Sequence, residues 1–229
     1  TTPANCIYSL GSTTTRNHFN SNNTISNCNI FNFFLSSNVS LGILLTTGTT
    51  DCTITGNSFY QTAPRTLGAL EVVPLDPPTT ITPNCVITDN FIRATAPQCG
   101  GSAMTLTGAG NFRGMNFTVG PGTTLVQGNT IKNINFTTTN ATYFNGAILL
   151  GQGNFLCTGN TVGSITENNS IACTYSGSAG GFACITAGGS SPTLTTTISN
   201  NTIGGVSMTV SGAPATPPGS SERRLSDED

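Results

Sequence analysis

Apolar residues in this chain keep neither a helical nor a long alternating period. They fall in short runs that recur at a much larger spacing. The strings NSNNTI, ITGNSF, ITDNFI, VQGNTI, CTGNTV and ISNNTI centre on Asn23, Asn57, Asn90, Asn129, Asn160 and Asn201, at intervals of 34, 33, 39, 31 and 41 residues. Two positions after each asparagine stands Ile25, Phe59, Ile92, Ile131, Val162 or Ile203. Three positions before it stand Ile54, Ile87, Val126, Cys157 and Ile198, with Asn20 as the exception. The two apolar columns are an odd number of residues apart, so one continuous strand would point them to opposite faces. Just before each asparagine come Asn22, Gly56, Asp89, Gly128, Gly159 and Asn200. These residue types enter the left-handed region at least cost. A corner at that point returns both columns to one interior.

A second unit lies between the asparagines: GILL (Gly42 to Leu45), GALE (Gly68 to Glu71), SAMT (Ser102 to Thr105), GAIL (Gly146 to Leu149) and FACI (Phe182 to Ile185). Its alignment points Leu44, Leu70, Met104, Ile148 and Cys184 inward. Ile43, Ala69, Ala103, Ala147 and Ala183, with Leu45, Leu149 and Ile185, then face out as an apolar strip, and such strips are usually contact surfaces. Coils that each bury little alone and stack at about 4.8 Å describe an all-β, single-domain parallel β-helix. The spacing predicts about six coils over residues 19–212. Residues 1–18 read as an N-terminal cap and 213–229 as a linker or disordered charged tail. The variable intervals place irregular loops at Val73 to Asn84, Gly108 to Thr124 and Gly163 to Gly180.

Gly146-Ala147-Ile148 and Ile54-Thr55-Gly56-Asn57 pair a small-residue strand with an aliphatic-x-x-Asn corner. Over residues 19–206 that pairing resembles the passenger domains of chlamydial polymorphic outer-membrane proteins and their eukaryotic look-alikes. The resemblance implies a right-handed, pectin-lyase-like β-helix used at a cell surface for adhesion or coat structure. It implies no catalytic residue.

Composition sharpens this picture. The 229 residues include 41 Thr, 25 Asn and 27 Gly but a single Lys, a profile of strands and tight corners. Charged residues make up 7 % of the chain and the net charge is −2, which excludes the basic face that nucleic-acid binding needs. No apolar run is long enough for a membrane-spanning helix. Eight cysteines suggest disulfides and an oxidising compartment, hence a secreted or cell-surface protein. Cys52 and Cys85 each precede a central asparagine by five residues, one coil apart. Stacked residues lie within disulfide reach, so the spacing predicts a Cys52–Cys85 staple. Cys6 with Cys28, and Cys157 with Cys173 or Cys184, are pairings suggested by proximity; Cys99 has no assigned partner. One His and no Cys-x-x-Cys pair disfavour zinc, and no cofactor is expected.

Candidate chemistry is sparse. The six central asparagines read as a ladder whose amides satisfy backbone groups, with a carbohydrate-binding comb as the alternative. The body's carboxylates, Asp51, Glu71, Asp76, Asp89 and Glu167, share no column in adjacent coils. A polysaccharide lyase or hydrolase would need them clustered. Arg93 and Lys132 align one coil apart, either as two solvated cations or as a small basic spot for a sugar acid. His18 lies near the cap, where a capping or buried polar role is expected. A Thr-x-Thr array for ice binding occurs at Thr53/Thr55 but lapses at Val86/Thr88, Leu125/Gln127, Leu156/Thr158 and Thr197/Ser199. Asn116, Asn135, Asn140 and Asn168 are sequons in expected loops, suited to glycans. The expectation is a secreted, non-catalytic structural protein that associates with itself in a fibre, coat or adhesive surface. Cell-surface glycans are further candidate partners. Ice binding and polysaccharide cleavage are the alternatives.

Overall fold

The computed structural model describes residues 5–9, 20–36, 39–45, 48–67, 72–76, 84–120, 122–139, 146–176, 182–188 and 193–210. Its plan is clearest in the fifth coil, where four strands follow one another around the turn: Gly146–Leu150, Asn154–Thr158, Thr161–Gly163 and Ile171–Tyr175. Each pairs in parallel with its equivalents in the neighbouring coils, which surrounds one apolar interior with four sheet faces; the first sheet is split into two three-stranded pieces, and a short two-stranded pair, Asn20–Ser21 with Thr49–Thr50, adds to the first two coils. The chain is a parallel β-helix.

The second and third sheets carry the columns that the sequence pattern shows. Ile25, Ile54, Ile87, Val126, Cys157 and Ile198 lie over one another in the second sheet. Ile30, Phe59, Ile92, Ile131, Val162 and Ile203 do so in the third. From coil two to coil five every member of both columns is within 1 % of complete burial. Each buried aliphatic or aromatic side chain contributes about 1.5–3 kcal/mol, so these columns are a main source of stability. The corner between them turns on left-handed residues: Asn27, Gly56, Asp89, Gly128, Gly159 and Asn200 all have φ between 54° and 66°. At Gly56 and Gly128 a Cβ would collide with the side chains of Asn27 and Asp89 in the coil before. Glycine therefore follows a bulky corner residue for space as well as for its positive φ.

The first coil departs from the expected register. Ile25, not Asn20, heads the second-sheet column, and Ile30 heads the third. Cys28 therefore occupies the place expected for Asn23, five residues off. Asn23 instead stands above Cys52, its carbonyl accepting from Thr53. The stack also starts earlier than expected. Asn5–Ser9, inside the segment read as a cap, pairs in parallel with Ser40–Leu45 in the first sheet.

Two further expectations are corrected. The segments read as loops contain strands Val72–Asp76, Arg113–Phe117 and Ile171–Tyr175. The SAMT unit belongs to the fourth sheet, where Met104 lies over Ile134, Ile171 and Val206. In the first sheet Ile148 pairs with Met115 and with Ile185, not with Cys184. The outward apolar strip consequently dissolves. Ile43, Leu45 and Ala147 are buried, Leu44 and Leu149 are the half-exposed residues, and Ala103, Ala183 and Ile185 are half-buried. Ala69 lies outside the described residues. Small residues at Gly42 and Gly114 press their backbones against the interior, so both parities of this strand pack inward at its start. Among the described residues no helix is long and apolar enough to cross a membrane.

Candidate functional site

The asparagine column forms a continuous hydrogen-bond ladder. Asn57 donates both its backbone N–H and its Nδ2 to Asn90 Oδ1, each at 3.0 Å, and its Nδ2 also donates to the Ile25 carbonyl at 2.9 Å. Asn90 repeats this toward Asn129 and the Ile54 carbonyl, Asn129 toward Asn160 and Ile87, and Asn160 toward Asn201 and Val126, all at 2.9–3.0 Å. Each amide thus ties three successive coils. Asn57, Asn90, Asn129 and Asn160 are completely buried, so the column reaches no ligand and a carbohydrate comb is ruled out. Cys28 closes the ladder at the N-terminal end, its N–H donating to Asn57 Oδ1. Asn201 closes it at the other end, half-buried, with its Nδ2 donating to the Cys157 carbonyl.

The Cys52–Cys85 disulfide joins adjacent coils across 33 residues, with Cα atoms 4.7 Å apart. The other suggested pairs are not made. Cys6 and Cys28 are exposed free thiols, one on the first sheet and one at the corner between the second and third. Cys157 and Cys173 are buried free thiols on the second and fourth sheets, and Cys184 is a half-buried one. Burial pushes Cys99 and Cys173 up to about 12 and Cys157 up to about 11; Asn160, donating to the Cys157 sulfur, offsets part of the latter shift. Such thiols are poor nucleophiles at neutral pH.

Arg93 is not a solvated cation. It is 1 % exposed, with φ +84°, and its guanidinium stands 4.8 Å from the Phe112 ring and 6.0 Å from that of Phe33. Nη1 reaches the Met104 sulfur at 3.9 Å, while Nε and Nη2 are buried with no hydrogen-bond partner. Burial lowers its pKa from the ordinary guanidinium range to about 9. Lys132, its expected companion, is half-buried, and the two form no basic spot. Arg65 shows the contrary arrangement: its Nε donates to Gln61 Oε1 and its Nη2 to Asn32 Oδ1.

The acidic side chains among the described residues stay apart. Asp51 accepts from Asn84 Nδ2 at 3.2 Å, Asp89 serves the corner, and Glu167 is exposed in a turn. Among the described residues no group of three metal-ligating side chains forms. Glu71 and His18 lie outside the described residues. Of the sequons, Asn168 is exposed in a turn, while Asn116 and Asn135 sit in strands rather than loops, half-buried and exposed respectively. Asn140 lies outside the described residues.

Two surfaces escaped the sequence pattern. On the outer face of the fourth sheet Thr66, Thr107, Thr137, Thr174 and Thr209 form one column five coils high. Its signal was the alternation of apolar residues with threonine in MTLTG, INFTT, IACTY and VSMTV. The second surface is the C-terminal end of the stack. Ile198, Ile203, Met208 and Val210 continue interior columns but are 45, 52, 51 and 43 % exposed. No seventh coil covers them among the described residues.

A weakly charged, disulfide-bonded stack with an internal amide ladder defines a protein of the parallel β-helix class. No protein-family model matches the sequence, and neither does any curated protein or solved structure.

Proposed function

We propose that this β-helix is a non-catalytic structural protein of the cell exterior that associates with copies of itself in a coat, fibre or adhesive surface. The exposed apolar end of the sixth coil carries this reading. Large contiguous apolar surfaces on soluble proteins mark contact sites, and the edges of terminal strands are templates for pairing. The weakly charged body offers little repulsion against association. The Cys52–Cys85 staple favours an oxidising setting. Exposed Asn135 and Asn168 are available for glycans there. Light scattering after gel filtration over a range of concentrations tests the proposal. Mass rising above the 23.5 kDa monomer supports it, and a constant monomer up to the solubility limit refutes it.

The threonine column of the fourth sheet favours a second reading, ice binding. Hydroxyl and methyl groups repeating at about 4.8 Å along a parallel sheet present an ordered, uncharged surface to water. Thermal hysteresis decides this reading: a freezing-point gap that vanishes in Thr137→Lys supports it, and no gap in the wild type discards it.

A further inference from the structure

We propose that Cys173 and Cys184 close a second disulfide under oxidising conditions, tying coil five to coil six. Both are free thiols in the structure, with ten residues of chain between them. Cys173 points inward from the fourth sheet, in one column with Phe136 and Met208. Cys184 immediately precedes strand Ile185–Ala187 of the first sheet, and its carbonyl accepts from the Ile148 N–H of coil five. Its side chain packs against the apolar cluster that contains Cys173. Inward groups from these two walls already meet in coil four, where the rings of Phe136 and Phe112 lie 6.5 Å apart. At the same junction one coil on, Cys173 takes the register of Phe136 with a far smaller side chain. Cys184 stands one residue before the Ile148–Ile185 pair, over the fully buried Ala147.

The surroundings of the sulfurs single out the same pair. The Cys99 thiol donates to the Ile92 carbonyl at 3.4 Å and the Cys28 thiol to that of Ser26 at 3.2 Å, while the Cys157 sulfur accepts from Asn160. Cys6 lies in the first coil. Neither Cys173 nor Cys184 has a sulfur hydrogen bond among the described residues. The charge of a Cys184 thiolate is felt at Cys173, where it adds to the burial that raises that thiol. Closure removes two protons and two electrons, and a low-molecular-weight disulfide takes up the electrons. Half-buried Cys184 is the sulfur reached first: its thiolate attacks that disulfide, forms a mixed disulfide and releases one thiol. The Cys173 thiolate then attacks the Cys184 sulfur, forms the protein disulfide and expels the second thiol. Burial raises both cysteines, which slows each step at neutral pH without changing the product. The bond forms within one chain, independently of any self-association.

The test incubates the full chain with oxidised glutathione, alkylates the remaining thiols and maps the links by mass spectrometry. Chymotryptic cleavage after Tyr175 and Phe182 separates the two cysteines unless a bond joins them. The expected product is a linked Cys173–Cys184 peptide, with a Tm about 5–10 °C above that of Cys184→Ser treated alike. The Cys52–Cys85 bond is common to both proteins and cancels in that difference. Should Cys184→Ser fail to fold, the wild type before and after oxidation gives the same comparison. Both cysteines still open to alkylation after prolonged oxidation overturn the pairing. So do glutathione that stays on Cys184, a link from either residue to Cys157, and a Cys184 bond between two chains. A linked protein whose Tm does not rise overturns the tie between the last two coils.

Discussion

Asn90 and Arg93 are three residues apart in the same coil, and both are withdrawn from water, yet their hydrogen bonding is opposite. Asn90 uses both amide protons and its oxygen, each on a group that an adjacent coil supplies. Arg93 carries a charge into the same interior and leaves Nε and Nη2 without acceptors, with two aromatic faces as its main compensation. Burial strengthens a complete network and penalises an incomplete one. The repeat can satisfy a neutral amide because every coil provides the same groups at the same height. It has no equivalent for a guanidinium that appears in one coil alone.

The comparison breaks most clearly in the middle of the ladder. Asn129→Ala leaves the Asn90 donors and the Ile87 carbonyl unsatisfied, and is expected to cost about 3–5 kcal/mol in urea unfolding. A loss below about 1 kcal/mol would show that the ladder is incidental. Arg93→Met should act in the opposite sense. Removing an unpaired buried charge at similar volume is expected to raise stability by about 2 kcal/mol, and a destabilised variant would reveal a counter-charge for Arg93.

The same pair of proteins sharpens the point by pH. With a folded pKa of about 9, well below the ordinary guanidinium range, Arg93 binds fewer protons in the folded chain than in the unfolded one above that pH. The stability of the wild type relative to Arg93→Met should therefore rise as pH increases from 9 toward 12, so the gap between them narrows. The buried thiols of Cys99, Cys157 and Cys173 act the other way, because the folded state keeps protons that the unfolded state releases. They are common to both proteins and cancel in the difference.

At the ends of the ladder the effects shrink. Asn201→Ala, half-buried, is expected to cost about 1 kcal/mol, because Asn160 loses its acceptor where water can partly replace it. Cys28→Asn extends the ladder by one rung at an exposed position and should add about 0.5 kcal/mol. Thermal melts at fixed pH rank both, and an Asn201 effect as large as that of Asn129 would contradict the importance of depth.

The second and third sheets were legible because each coil repeats one asparagine between two apolar residues at fixed offsets, and the Cys52–Cys85 pairing followed from the same offsets. Coil one misled because Cys28 fills the ladder position while Asn22-Asn23 nearby imitates the motif, including a left-handed Asn22 at a different corner. The first and fourth sheets were obscured by connections of unequal length. Coil three takes Arg93 to Ala103 between its third and fourth strands, where coil four takes only Lys132 and Asn133. With no constant offset, MTLTG could not be lined up with INFTT by spacing. Arg93 gave no warning at all: its depth comes from the positive φ at Arg93 and Ala94, which turns the chain inward at a place where Lys132 stays half-exposed.

The position of the Cys52–Cys85 bond also gives the stack a direction in time. It clamps the second coil to the third, whereas the fifth and sixth are held together by non-covalent contacts alone among the described residues. Unravelling is then easiest from the last coil inward, with amide exchange fastest near Val206 and slowest around Ile54 and Ile87. A protease attacking the partly opened molecule would leave a trimmed core that still contains the clamp.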